Sequence, residues 1–122
     1  MQGNLRTLYV DDEPGLLEIT KMFLEQSGDF SVETIESATG ALELLKKEQF
    51  DAIISDYQMP GMDGIEFLKV VRNSGNSVPF ILFTGKGREE IVIQAINNGA
   101  DYYPRLCLPD LFHFHEKGNE NY

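Results

Sequence analysis

Three acidic residues stand at places in the sequence where they could act together. Asp11 and Asp12 directly follow the apolar run Leu5–Val10, and Asp56 follows the apolar run at residues 52–55. If these runs are parallel strands of one sheet, the carboxylates meet outside the carboxyl ends of the strands, where open α/β sheets bind ligands. Three carboxylates so placed repel one another unless a cation compensates their charge. Because all the ligands are oxygens and the protein supplies few of them, Mg²⁺ fits better than zinc or a closed calcium site.

A metal beside carboxylates favours covalent chemistry, in which one carboxylate attacks a phosphoryl group. Asp56 is the better candidate nucleophile, because Asp11 and Asp12 are adjacent and can share a metal directly or through water. Thr84 follows a further apolar run and adds a hydroxyl at the same edge. The simpler alternative is that each aspartate only caps the following helix. Capping does not explain an adjacent acidic pair after one strand and a lone aspartate after the central one.

The elements that must position these residues alternate along the chain. Short apolar runs alternate with stretches of helical period about five times, which is typical of a parallel α/β sheet. Pro14 suits the first turn of one helix, Ser37 is the predicted N-cap of the next, and Gly99 is the predicted C-terminal cap of a later one. The predicted strands are Leu5–Val10, Phe30–Ile35, residues 52–55, Phe80–Phe83 and a fifth strand that begins at Ala100.

Length and charge limit the possible functions. The 122 residues predict a single domain, and 20 Asp and Glu against 10 Lys and Arg argue against nucleic acid or anionic membranes as partners. The amino terminus resembles neither a signal peptide nor a transit peptide, and no window is apolar enough to span a membrane, so we expect a cytoplasmic protein. The one cysteine, Cys107, is expected to be a small buried hydrophobe.

Several spaced motifs occur in a fixed order along the chain. They are Asp11-Asp12, then Asp56 followed by Met59-Pro60-Gly61-Met62-Asp63-Gly64, then Phe83-Thr84-Gly85, and finally Gly99-Ala100-Asp101-Tyr102-Tyr103. Together they resemble the receiver domain of two-component response regulators. The resemblance covers about residues 5 to 103 and implies an α/β, flavodoxin-like fold, a doubly wound five-stranded parallel sheet of order 2-1-3-4-5. The Lys86-Gly87 loop and the last of these motifs look most like those of archaeal receivers.

The resemblance implies a role for each matching residue. Asp56 matches the aspartate that accepts a phosphoryl group from a histidine kinase. The Mg²⁺ ligands of the family match Asp11, Asp12 and Asp56, together with the backbone carbonyl of Gln58. The protein would then be no enzyme apart from catalysing its own phosphorylation and dephosphorylation.

Other matching positions are those that convert phosphorylation into a signal. Thr84 matches the hydroxyl that closes on the phosphoryl group, and Tyr103 matches the aromatic residue that follows this movement. Gln58 and Lys86 occupy loop positions that tune how long the phosphoryl group survives. The signal would pass to an effector protein or to an output domain outside these residues. A weak homodimer is a further expectation.

The sequence departs from the receiver pattern after Tyr103. Receivers carry a lysine three residues after the switch aromatic, where this chain has Leu106, and Lys86 is the predicted substitute cation. Pro104 is tolerated on an edge strand only. We therefore expect one domain over residues 1–122 with an atypical tail at 104–122, including a short or irregular last helix. A change of reading frame near Pro104 and a natural tail both explain this, and the alternative function is a receiver-like module that binds a protein without phosphorylation.

Overall fold

The computed structural model describes residues 4–83 and 96–101. Strands and helices alternate through the first of these ranges, as the apolar pattern predicts. The predicted third strand is one residue longer than expected, because Asp56 itself belongs to it. The elements are β1 (Leu5–Val10), α1 (Pro14–Glu25), β2 (Phe30–Ile35), α2 (Ala38–Leu45), β3 (Ala52–Asp56), α3 (Gly64–Asn73) and β4 (Phe80–Phe83).

The four strands form one parallel sheet in the order β2-β1-β3-β4. This order confirms the flavodoxin-like α/β prediction for the part of the chain that the structure describes. The fifth strand was expected to begin at Ala100, but Ala100 and Asp101 are described and belong to no strand, although the Asp101 N–H donates to the Phe80 carbonyl of β4 at 2.7 Å. The rest of the expected strand lies outside the described residues. The expected last helix also lies outside them.

Local signals in the sequence begin the helices. Pro14 occupies the first turn of α1, and the Ser37 hydroxyl accepts a hydrogen bond from the N–H of Gly40 at 3.1 Å, so Ser37 is the N-cap of α2 as predicted. At α3, the Asp63 carboxylate accepts from the N–H of Glu66, and the Glu66 carboxylate accepts from the N–H of Asp63, both at 2.9 Å. This reciprocal pair is a capping box, which satisfies backbone donors that a helix start leaves open.

Hydrophobic side chains cover both faces of the sheet. One face packs against α2 and α3 through a large cluster that includes Leu8, Ile53 and Phe67. The other face packs against α1 through a smaller cluster, defined by Tyr9, Leu17, Leu24, Val32 and Ile54. Successive strand residues point to opposite faces, so Leu8 and Tyr9 of β1 belong to different clusters.

Helix α1 is less buried than its apolar content suggests. Leu17 and Leu24 are buried, but Met22 is 63% exposed and Phe23 42% exposed. The helical period in the sequence therefore predicts the helix correctly without showing which of its apolar side chains reach the core. None of the helices among the described residues is both long and apolar enough to cross a membrane.

Candidate functional site

The parallel pairing of β1 and β3 brings the acidic residues together. Val10 of β1 lies opposite Ser55 of β3, so the next residues, Asp11 and Asp56, lie side by side at the carboxyl edge of the sheet, where β3 ends at Asp56. One carboxylate oxygen from each of Asp11, Asp12 and Asp56 lies within 4.8 Å of the others. The sequence predicted these three residues as a group, and the structure places them at one edge of the sheet.

Asp11 is a fully buried carboxylate with donors on two sides. Its exposed fraction is 0%; its Oδ1 accepts the backbone N–H of Glu13 at 3.1 Å, and its Oδ2 accepts the hydroxyl of Tyr9 at 2.9 Å. Its own N–H donates to the Ile35 carbonyl at 3.2 Å. A buried charge is tolerated only when other groups compensate it, and these donors supply part of that compensation.

Asp12 and Asp56 are half-buried, so an ion or a small molecule can reach them from solvent. Two unit charges at about 4.8 Å repel by about 3.5 kcal/mol when the effective dielectric constant is about 20. A divalent cation between the carboxylates converts this repulsion into attraction. The donor set consists of oxygens alone, which suits Mg²⁺ and is a poor match for metals that prefer sulfur or nitrogen.

The loop after Asp56 approaches the site closely because Gly64 lacks a side chain. The Gly64 N–H donates to the Tyr57 carbonyl at 2.8 Å, and a Cβ on Gly64 would overlap the carbonyl oxygen of Asp56. The Ser55 hydroxyl donates to that same carbonyl oxygen at 2.9 Å. The backbone of Asp56 is thus held by its neighbour in β3 and enclosed by the start of α3.

Tyr9 is a site residue that the sequence analysis missed. Burial raises the pKa of Tyr9 far above its usual value and the negative charge of Asp11 raises it further, so the hydroxyl stays neutral and can donate. The available signal was the spacing, since residues two apart on a strand share a face and Tyr9 precedes Asp11 by two.

The remaining predicted site residues are placed only in part. Gln58 lies two residues after Asp56 in an exposed loop position. Thr84, Lys86 and Tyr103 lie outside the described residues, as do Leu106 and the atypical tail. Their predicted roles stay predictions.

Comparison with known proteins agrees with this fold. A family model described as the response regulator receiver domain matches residues 7–104. The response regulator Rre1 of Synechocystis sp. is 39% identical over 105 residues, which are 84% of this chain and 46% of that protein. The chain therefore spans less than half the length of this curated relative.

Solved receiver structures have the same architecture. The receiver domain of the Francisella response regulator 1452 superposes with a TM-score of 0.77 at 25% identity, covering 91% of this chain and 93% of that one. The chemotaxis response regulator CheY4 of Vibrio cholerae gives a TM-score of 0.73 at 30% identity, covering 82% and 84%.

This chain belongs to the response regulator receiver domain family. It is a receiver module of two-component signalling, as the sequence motifs predicted. Receivers interact in general with histidine kinases and with effector domains, and they are not enzymes of the usual kind. The family match ends at residue 104, within one residue of the end of the resemblance in the sequence, at Tyr103.

Proposed function

We propose that Asp56 is the phosphoacceptor of this receiver and that a histidine kinase is its phosphodonor. The observation that carries the proposal is the position of the Asp56 carboxylate, half-buried at the carboxyl end of β3 and within 4.8 Å of two further carboxylates. Half-burial leaves part of this carboxylate within reach of a phosphodonor, and the neighbouring carboxylates provide further oxygen ligands for a metal. Asp11 is fully buried and hydrogen-bonded at both oxygens, so it is less suited to attack a phosphorus atom.

Mg²⁺ is the cofactor of this proposal. Asp11, Asp12 and Asp56 would hold it, with the backbone carbonyl of Gln58 as a further ligand. When bound, Mg²⁺ neutralises charge on the phosphoryl oxygens and on the carboxylates, so that an anionic nucleophile can approach an anionic group.

The transfer is a single displacement at phosphorus. A carboxylate oxygen of Asp56 forms a bond to the phosphorus of the kinase's phosphohistidine while the phosphorus–nitrogen bond breaks. The bonding electron pair stays on the imidazole nitrogen, and a proton from water leaves the kinase histidine neutral. Loss of the phosphoryl group from Asp56 to water resets the domain, so its catalysis is limited to its own phosphorylation and dephosphorylation.

Signal output is the part of the proposal that depends on residues outside the described ranges. Thr84 and Tyr103 would act as the switch pair, and Lys86 would replace the family's lysine, whose position holds Leu106. Opposite charges about 4 Å apart are worth about 4 kcal/mol near a surface. Moving a two-state equilibrium from 1:99 to 99:1 takes about 5.5 kcal/mol. The loss of one such charge pair would therefore remove much of the free energy that drives the switch. Phosphorylation is less affected, because it depends mainly on Asp56 and the metal.

The partners and setting complete the proposal. Because the chain spans only 46% of its curated relative, the receiver would act on an effector protein or on an output domain beyond these residues, with weak homodimerisation as a further expectation. The cytoplasmic location expected from the sequence is part of the same proposal.

The test is intact-mass spectrometry of the full chain after incubation with acetyl phosphate, with and without Mg²⁺. We expect an adduct of one phosphoryl group that requires Mg²⁺ and is lost in Asp56→Asn. The matched control is Asp51→Asn, which removes the carboxylate just before the amino end of β3, where Asp51 accepts the N–H of Arg6 at 2.7 Å. This control should be phosphorylated like the parent chain.

Tyrosine spectroscopy on the same samples reports the switch. A phosphorylated chain with little change around Tyr103 would match the expected weakening by Leu106. A folded parent chain that takes up no phosphoryl group under any of these conditions would refute the proposal and favour the phosphorylation-independent binding module.

A further inference from the structure

Tyr9 combines complete burial with a polar contact that core packing does not require. It is 1% exposed and lies in the smaller cluster beside Ile54, its register partner on β3, and Leu17 of α1. A phenylalanine ring would pack against the same apolar neighbours. A buried hydroxyl costs free energy unless it finds a partner, and this one is directed to the Asp11 carboxylate, 2.9 Å away.

This contact restrains Asp11 from a direction that the backbone does not cover. The N–H of Glu13 approaches Oδ1 from the loop that leads into α1, whereas the Tyr9 hydroxyl reaches Oδ2 from the cluster between the sheet and α1. Two donors on different oxygens fix the rotation of the carboxylate plane about the side-chain bonds. A stiff carboxylate matters for Mg²⁺ because this ion demands near-octahedral geometry.

We propose that Tyr9 is a positioning residue of the metal site, whose hydroxyl holds the Asp11 carboxylate in the orientation that Mg²⁺ binding needs. The inference rests on the proposed metal site and adds a residue to it that contacts a ligand rather than the ion. Partners that orient ligands in this way commonly contribute about 10-fold to 100-fold in metal affinity. Removing the hydroxyl alone should therefore weaken Mg²⁺ binding in a chain that still folds.

The experiment measures the dissociation constant of Mg²⁺ by isothermal titration calorimetry on the full 122-residue chain. Tyr9→Phe removes the hydroxyl and keeps the ring. Tyr9→Ile removes it with a side chain that suits a buried strand, so one variant remains informative if the other folds poorly. Ile54→Val is the matched control, because it trims the register partner of Tyr9 in the same cluster without touching a carboxylate.

We expect both Tyr9 variants to raise the Mg²⁺ dissociation constant by about 10-fold or more, and Ile54→Val to leave it within about 2-fold of the parent value. Thermal unfolding without Mg²⁺ separates stability from positioning, since a purely structural hydroxyl would lower the melting temperature and leave the dissociation constant unchanged. A lower melting temperature of the Tyr9 variants with an unchanged Mg²⁺ dissociation constant would overturn the inference.

The same titration distinguishes failure of this inference from failure of the metal site itself. If the parent chain binds Mg²⁺, Asp12→Asn abolishes binding and Tyr9→Phe binds like the parent, only the role of Tyr9 is refuted. If the parent chain binds no Mg²⁺, the proposed metal site and the role of Tyr9 are both refuted.

Discussion

At Gly64 the backbone of α3 approaches the phosphoacceptor candidate so closely that no side chain fits. A Cβ there would overlap the Asp56 carbonyl oxygen and would lie 2.6 Å from Cδ1 of Leu82 and 3.0 Å from Cα of Tyr57. Two of these three atoms belong to backbone, which cannot move away as the end of a flexible side chain can. A single methyl group at this residue therefore changes both the packing and the position of Asp56.

The Gly64→Ala variant should be destabilised by about 1 to 3 kcal/mol, the usual cost of overpacking a rigid site. Urea unfolding followed by circular dichroism measures the free energy of unfolding. Gly15→Ala in α1 is the control, because a Cβ there meets nothing within 4 Å. Alanine suits a helix better than glycine by up to about 1 kcal/mol, so this control should be neutral or stabilising. Equal stability of the Gly64 variant and the parent would contradict the packing argument.

At the scale of elements, α1 protects the outer edge of the sheet. β2 is an edge strand, and the backbone of Val32 faces away from β1. The Val32 N–H donates to Oε2 of Glu25 at 2.9 Å, and Nζ of Lys21 donates to the Val32 carbonyl at 2.6 Å. Lys21 and Glu25 are also within 3.2 Å of each other. Two side chains of one helix thus occupy backbone groups that another strand could otherwise pair with.

The contact between Glu25 and Val32 makes the stability of the protein depend on pH. The hydrogen bond from Val32 lowers the pKa of Glu25, and Lys21 lowers it further, so the contribution is present above the ordinary pKa and is lost as pH falls through the lowered one. Glu25→Gln keeps an acceptor but removes the charge. We expect the variant to be less stable than the parent at neutral pH. The difference should shrink as pH falls below the ordinary glutamate pKa of about 4.3 and disappear once pH has passed the lowered pKa of Glu25.

Chemical unfolding at a series of pH values measures this difference. Glu18→Gln is the control, since Glu18 is an exposed residue of the same helix. A difference between Glu25→Gln and the parent that stays constant from neutral to acid pH would show that charge at Glu25 is not what binds α1 to β2.

For the whole molecule, acidic charge is the dominant electrostatic property. The chain carries a net charge of −10, and the most crowded acids that the described residues contain are Asp11, Asp12 and Asp56. Folding must bring these three together against their repulsion. The fold therefore gives up some stability to build the site, and a bound cation should restore it.

Relative to the parent, Asp12→Asn should accordingly be more stable without Mg²⁺ and less stable with Mg²⁺. Without Mg²⁺ the variant should be more stable than the parent, on the order of 1 kcal/mol, because one of the repelling charges is gone and water screens part of the effect. With Mg²⁺ at about 100 times its dissociation constant, the parent should gain about 2.7 kcal/mol and the variant much less.

Thermal unfolding with EDTA and with Mg²⁺ measures both effects. Glu36→Gln removes an acid that follows β2, outside the cluster, and should leave the response to Mg²⁺ intact. If Asp12→Asn were less stable than the parent in EDTA, the repulsion argument would be wrong.

The sequence alone predicts most of the fold and the membership of the acidic cluster. These predictions used patterns whose physical causes act over a few residues. The patterns are apolar runs followed by acids, Pro14 in a first turn and Ser37 at an N-cap. The meeting of Asp11 with Asp56 followed from the rule that parallel strands share one carboxyl edge. The strand order was implied by the resemblance of the motifs to receiver domains. The motifs added the family, which the comparisons confirm.

Tertiary structure decided how each of these residues is used. Asp11 is fully buried while Asp12 is not, Tyr9 donates to Asp11, and Met22 is exposed. Each of these facts depends on which distant elements pack over the residue. The approach of Gly64 to Asp56 and the contact of Glu25 with Val32 likewise join separate elements. Periodicity along a chain shows which face a residue occupies, but exposure and hydrogen bonding are set by the atoms that other segments bring against that face.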